Sequence, residues 1–160
     1  MPSIYVDYAD GDAMCEAYIA SPDGGGPNPA VLVAHQWSGQ SDHERTTADR
    51  LAALGYVGIA IDVFGKGTRG DPHGDNSALM GPWLADRAAL RRRLLAAVAF
   101  AGGHEAVDAG RIAVVGYCFG GCARSTLRDR ARPTCAARSA FMAFSRRRTS
   151  VRKWTSRPRC

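Results

Sequence analysis

Arg111-Ile112-Ala113-Val114-Val115-Gly116-Tyr117-Cys118-Phe119-Gly120-Gly121 carries an apolar run straight into a cysteine flanked by glycines. The run predicts a strand buried on both faces. Residues 116–121 have the form Gly-x-nucleophile-x-Gly-Gly, the tight turn that joins such a strand to a helix, with Cys118 in the place more often held by serine. The spacing has a physical reason. A nucleophile at the tip of a sharp turn needs small neighbours, because side chains at 116 and 120 would collide with the adjoining strand and helix. The helix expected after the turn directs its N-terminus at the thiol, which favours the thiolate. The N–H of Phe119 is then aimed at oxygen charge developing on an attacked carbonyl. The plain alternative is a buried cysteine before a glycine turn.

Upstream, the pattern alternates. Ile4–Tyr8 and Met14–Ile19 are β-prone runs joined at Asp10-Gly11-Asp12, a predicted hairpin. Residues 21–29 form a loop rich in Gly and Pro. Ala30–His35 and Tyr56–Ile61 read as two more buried strands. Between them, Asp42–Leu54 reads as an amphipathic helix capped by Ser41 or Asp42, with Leu51 and Leu54 inward and Gly55 as its stop. Residues 62–76 read as a glycine-rich, charged loop. Pro82–Phe100 reads as one long helix, with Arg87, Arg91, Arg92 and Arg93 outward, Leu84, Leu90, Leu94, Leu95 and Val98 inward, and Gly102-Gly103 ending it. Buried strands alternating with helices predict an α/β domain with a mostly parallel sheet. In such a fold the loop after the first buried strand, His35-Gln36-Trp37-Ser38-Gly39, supplies a second donor toward the developing oxyanion, the backbone N–H of Trp37. His35 itself reads equally well as a hydrogen-bonded core residue.

The composition excludes several classes. A chain of 160 residues with 46% hydrophobic and 22% charged residues is neither fibrous nor generally disordered, and it suits one domain. Its apolar stretches, such as 31–34 and 94–100, fall far short of the roughly 20 residues of a membrane span. Met1-Pro2-Ser3-Ile4-Tyr5 shows neither the basic nor the apolar region of a signal peptide. Five cysteines, an odd number, point to reduced thiols and a cytoplasmic location. Cys118-x-x-x-Cys122 has no His or Cys partner at metal-ligand spacing, so no metal and no cofactor are expected.

Several blocks together resemble the dienelactone hydrolase family of α/β-hydrolases: Ala30–Ala34 with His35-Gln36-Trp37-Ser38-Gly39, Asp42-His43-Glu44-Arg45, residues 48–57, Asp62-Val63-Phe64-Gly65-Lys66-Gly67 and residues 116–121. The likeness covers about residues 1–121 and rests on the order and spacing of these blocks. It implies hydrolysis of a small lactone or ester by a cysteine nucleophile, with an Asp and a His supplied later in the chain. Cys118 matches the nucleophile, Phe119 and Trp37 match the oxyanion donors, and Gly116, Gly120 and Gly121 match the glycines of the turn. Dienelactone hydrolases proper usually carry Glu where this chain has Gln36.

No later base or acid is found in the expected order. No histidine comes after Cys118, and Asp129, the one later acid, is too close to the nucleophile to be the family's aspartate. The four histidines, His35, His43, His73 and His104, all precede Cys118, the wrong order for a triad of this fold. No triad Asp or His is therefore assigned, and the chain is expected to be inactive or nearly so.

The charge changes sharply at the same place. Residues 1–121 hold 9 Lys/Arg and 14 Asp/Glu; residues 122–160 hold 12 Lys/Arg and a single acid, with no glycine and no histidine. Residues 122–160 can be back-translated with GC-rich codons so that a neighbouring reading frame gives glycines, balanced charge and a strand-like run. The expectation is a partial α/β-hydrolase fold over 1–121 lacking the C-terminal strands, then a basic, poorly ordered, out-of-frame tail over 122–160, in a truncated chain. The strand at 111–116 would then carry an unpaired apolar edge open to self-association. The alternative function is a polyanion- or nucleic-acid-binding protein acting through the tail. The tail holds no recognised nucleic-acid motif, and Trp154 alone could stack strongly within its cationic cluster.

Overall fold

A computed structural model describes residues 1–128 and 142–144. The chain opens with the predicted hairpin, β1 (Ser3–Asp10) and β2 (Ala13–Ala20), whose register pairs Asp10 with Ala13 across a two-residue turn. β3 (Asn28–Ala34), α1 (Asp42–Ala53) and β4 (Val57–Ile61) come next. After them lie α2 (Ser77–Ala85), α3 (Arg87–Gly103), β5 (Val107–Gly116), α4 (Phe119–Arg128) and β6 (Met142–Phe144). The sheet order is β1-β2-β4-β3-β5-β6. The parallel part is three strands wide, β4-β3-β5. The sheet as a whole is mixed, because the hairpin joins β4 antiparallel and β6 joins β5 antiparallel.

Side-chain alternation gives the sheet two unlike faces. Cys15, Ala17, Ile19, Leu32, Val57, Ile59, Ile61, Ile112 and Val114 pack on one face, with Leu90, Leu94 and Ala97 of α3 and Phe119, Ala123 and Leu127 of α4. The other face is small. Ala20 packs with Ala48 and Ala52 of α1, and a Cβ on Gly58 would collide with the Ala48 backbone. Helix α1 lies so close to β4 that only glycine fits there. Its N-terminus is a capping box, in which Ser41 accepts from the His43 N–H and the Glu44 carboxylate accepts from the Ser41 N–H.

The structure corrects several expectations. Leu54 is 72% exposed, not inward, because the small face under α1 takes alanines. The helix expected over 82–100 is two helices: α2 starts earlier, at Ser77, with Pro82 inside it, and Asp86 caps α3 by accepting from the Ala89 N–H. Arg93, expected outward, is buried; Nε donates to Asp10 Oδ2 at 2.7 Å and Nη1 to the Val63 carbonyl at 2.7 Å. Helix α4 runs through the composition break after 121, into the stretch expected to be poorly ordered, with Phe119, Ala123 and Leu127 on one buried stripe. The edge of β5 is not left open along its length: Ile112, Ala113 and Val114 pair with Phe144, Ala143 and Met142. The remaining basic residues, on which the polyanion reading rests, lie outside the described residues.

Candidate active site

The parallel register pairs Ala34 of β3 with Gly116 of β5. Both strands therefore end at the same level, and the loop 35–40 leaves the sheet beside the turn that carries Cys118. That is the usual place for chemistry in a parallel sheet, beyond the carboxyl ends of its strands.

At the turn, Cys118 has φ 53°, and among the described residues no other non-glycine has a positive φ. An L-residue held there costs about 1–2 kcal/mol, offset by the surrounding structure. That structure is close backbone packing. A Cβ on Gly116 would strike the backbone of Gly120, and one on Gly120 would strike the Ala34 and His35 carbonyls. The Tyr117 carbonyl accepts from the Gly120 N–H at 2.9 Å, and the Cys118 carbonyl from the N–H groups of Gly121 (3.0 Å) and Cys122 (3.2 Å), so α4 starts at once. The bend leaves Cys118 exposed as a free thiol. Cys15, the other free cysteine among the described residues, is buried on β2, and burial pushes its thiol pKa up.

Among the described residues, the N–H groups of Phe119 and Trp37 have no protein acceptor. The Trp37 loop is braced on both sides. The Gln36 carbonyl accepts from the Gly39 N–H at 3.3 Å, and the Ser38 carbonyl from the Gly70 N–H at 2.8 Å. Tyr117 is 48% exposed next to the thiol, and its ring meets His43 of α1 edge-on at 5.9 Å.

The four histidines separate widely. His35 is fully buried and uses both ring nitrogens in hydrogen bonds. His104 precedes β5, at the end of that strand remote from Cys118. His73 is an exposed loop residue, and its N–H donates to Asp71. His43 is exposed on the first turn of α1, against Tyr117. Among the earlier acids, buried Asp62 is occupied, one oxygen accepting from the Phe64 and Gly65 N–H groups. Asp129 lies outside the described residues. No group of three or more His, Cys, Asp or Glu among the described residues is placed to hold a metal ion. None of the described helices is long and apolar enough to cross a membrane. The sequence had no signal for the His43–Tyr117 contact or for the double bonding of His35, since their partners lie far along the chain.

The turn presents an exposed thiol beyond the carboxyl ends of β3 and β5. The dienelactone hydrolase family model matches residues 15–150, beginning later and reaching further than the stretch singled out from the sequence. A protein of Methylorubrum extorquens, provisionally named a carboxymethylenebutenolidase, is 33% identical over 118 residues, 69% of this chain and 38% of that protein. One of Aquifex aeolicus with the same provisional name is 31% identical over 120 residues, 72% of this chain and 51% of the relative. The crystal structure of a dienelactone hydrolase-like promiscuous phosphotriesterase from metagenomic libraries superposes with a TM-score of 0.75 at 33% identity, covering 79% of this chain and 53% of that one. The chain thus spans about two fifths to one half of the length of these relatives.

Proposed function

Given that the chain belongs to the dienelactone hydrolase family, we propose that it attacks small esters or lactones through Cys118, with the backbone N–H groups of Phe119 and Trp37 receiving the negative oxygen. One observation carries the reading most: an exposed cysteine in a left-handed backbone conformation at a strand-to-helix turn, held there by glycine contacts.

The chemical step suits that geometry. The Sγ thiolate forms a bond to the acyl carbon, and the carbonyl π pair moves onto oxygen. When that pair returns, the C–O bond breaks and the alkoxide leaves with its electrons; in a lactone it stays tethered. The thiol proton goes to solvent. Water must then cleave the thioester, and here a positioned base matters most. Since no histidine comes after Cys118 in these 160 residues, the proposal includes fast acylation and slow deacylation.

Pre-steady-state release of p-nitrophenolate from p-nitrophenyl acetate tests this. The wild-type chain should give a burst approaching one equivalent and then a slow phase, and Cys118→Ala should give no burst. Equal bursts from the two proteins would overturn the proposal.

A further inference from the structure

We infer that His35 is a positioning residue for the oxyanion site, aiming the Trp37 N–H through the Gln36 carbonyl and bracing Phe119 by ring contact; this rests on the assignment of Cys118 as the nucleophile. The Nδ1 atom lies 2.6 Å from the Gln36 carbonyl oxygen, and Nε2 lies 3.1 Å from the Val63 backbone nitrogen. A carbonyl only accepts and a backbone N–H only donates, so Nδ1 carries the proton and Nε2 is bare. The tautomer is fixed, and the ring is neutral.

The Gln36–Trp37 peptide is planar and trans, as are all those described. Its C=O and N–H therefore point in opposite directions. Holding the Gln36 oxygen on the buried side, where the Gly39 N–H also reaches it, turns the Trp37 N–H the other way. The ring also makes aromatic contacts. It lies 5.8 Å from the ring of Phe119, the other donor residue, and 4.6 Å from that of Phe64, while Phe64 and Phe119 are 5.5 Å apart. One fully buried side chain thus bonds the peptide group that carries one donor and meets the ring of the residue that carries the other. A core histidine serving packing alone would have no reason to distinguish its two nitrogens in reactivity.

Protonation would break the device. A proton on Nε2 would face the Val63 N–H, donor against donor. The charged groups acting on the ring are Asp62 and Glu44, which favour its charged form, and Arg69, which opposes it.

The experiment uses the full 160-residue chain and two reactions of Cys118. Acylation by p-nitrophenyl acetate develops an oxyanion; alkylation by iodoacetamide, a displacement at carbon with loss of iodide, does not. Their rate ratio reports the oxyanion site and cancels the thiolate fraction. His35→Asn places an amide N–H near the Nδ1 position and keeps the bond to Gln36. His35→Gln places an oxygen near Nε2 and keeps only the bond from Val63. The expected result is a ratio near wild type for His35→Asn and about tenfold lower or more for His35→Gln. Equal ratios in the two variants, whether both fall or neither does, would overturn the inference. A second readout needs no variant. In the wild type the ratio should fall as pH is lowered through the His35 titration tracked by NMR, and a ratio flat through that titration would equally overturn it. Acylation absent from the wild type while alkylation of Cys118 proceeds would instead sink the reading of Cys118, and this inference with it.

Discussion

His35 is an ordinary core histidine by burial and an unusual one by what it touches. Removal from water pushes its pKa below the ordinary histidine value, against the opposing pull of the Gln36 carbonyl, Asp62 and Glu44. The unfolded chain binds that proton more readily than the folded one. Stability drawn from a neutral His35 is therefore complete above about pH 6.5 and drains as pH falls from there toward the lower folded value. The melting temperature should drop on acidification from pH 7.5 to 5.5, and His35→Asn should flatten that slope. An identical pH slope in the variant would show that other groups carry the effect. The chemistry of this residue was half legible in the sequence. His35 beside Gln36 and Trp37 marked the loop, but its bonds to Val63 and rings at 64 and 119 depend on how the strands pair. The cysteine was more legible, because a left-handed turn between glycines is a local demand of the backbone.

Among the elements, the apolar runs of β3, β4 and β5 were the most legible, since parallel strands covered on both faces must be apolar throughout. The break between α2 and α3 was not. Pro82 reads as a helix start, yet the first turn begins at Ser77 and Asp86 begins the next helix. The row Arg91-Arg92-Arg93 reads as solvated, yet Arg93 clamps α3 to the hairpin through Asp10 and to the β4 exit through Val63, with its guanidinium 4.9 Å from the Trp83 ring. A charge enters the core here because each polar contact is met by a fixed partner. Arg93→Met should cost about 1.5–3 kcal/mol, the range for hydrogen bonds to charged groups, as measured by urea unfolding. Arg92→Met, at an exposed position of the same helix, should cost less than about 0.5 kcal/mol. Similar losses for the two would contradict the clamp.

At the scale of the whole molecule, the chain spans about two fifths to one half of its relatives and holds the turn of the proposed nucleophile and both proposed oxyanion donors. The sequence break after residue 121 marked a change of charge, while the family match and helix α4 both continue past it. A reading built on composition could not anticipate this, because two apolar residues at helical spacing, Ala123 and Leu127, sit easily within basic sequence. The sheet edge beside the Cys118 turn shows the same limit: three paired residues suffice to occupy part of it. The central claim is that one of five cysteines, Cys118, attacks acyl carbon. Incubation with p-nitrophenyl acetate, then intact-mass measurement and peptide mapping, tests it directly. The account predicts a single added acetyl group on the peptide containing Cys118, with Cys15 unmodified. Acetylation spread over the cysteines, or concentrated on any other one, would contradict it.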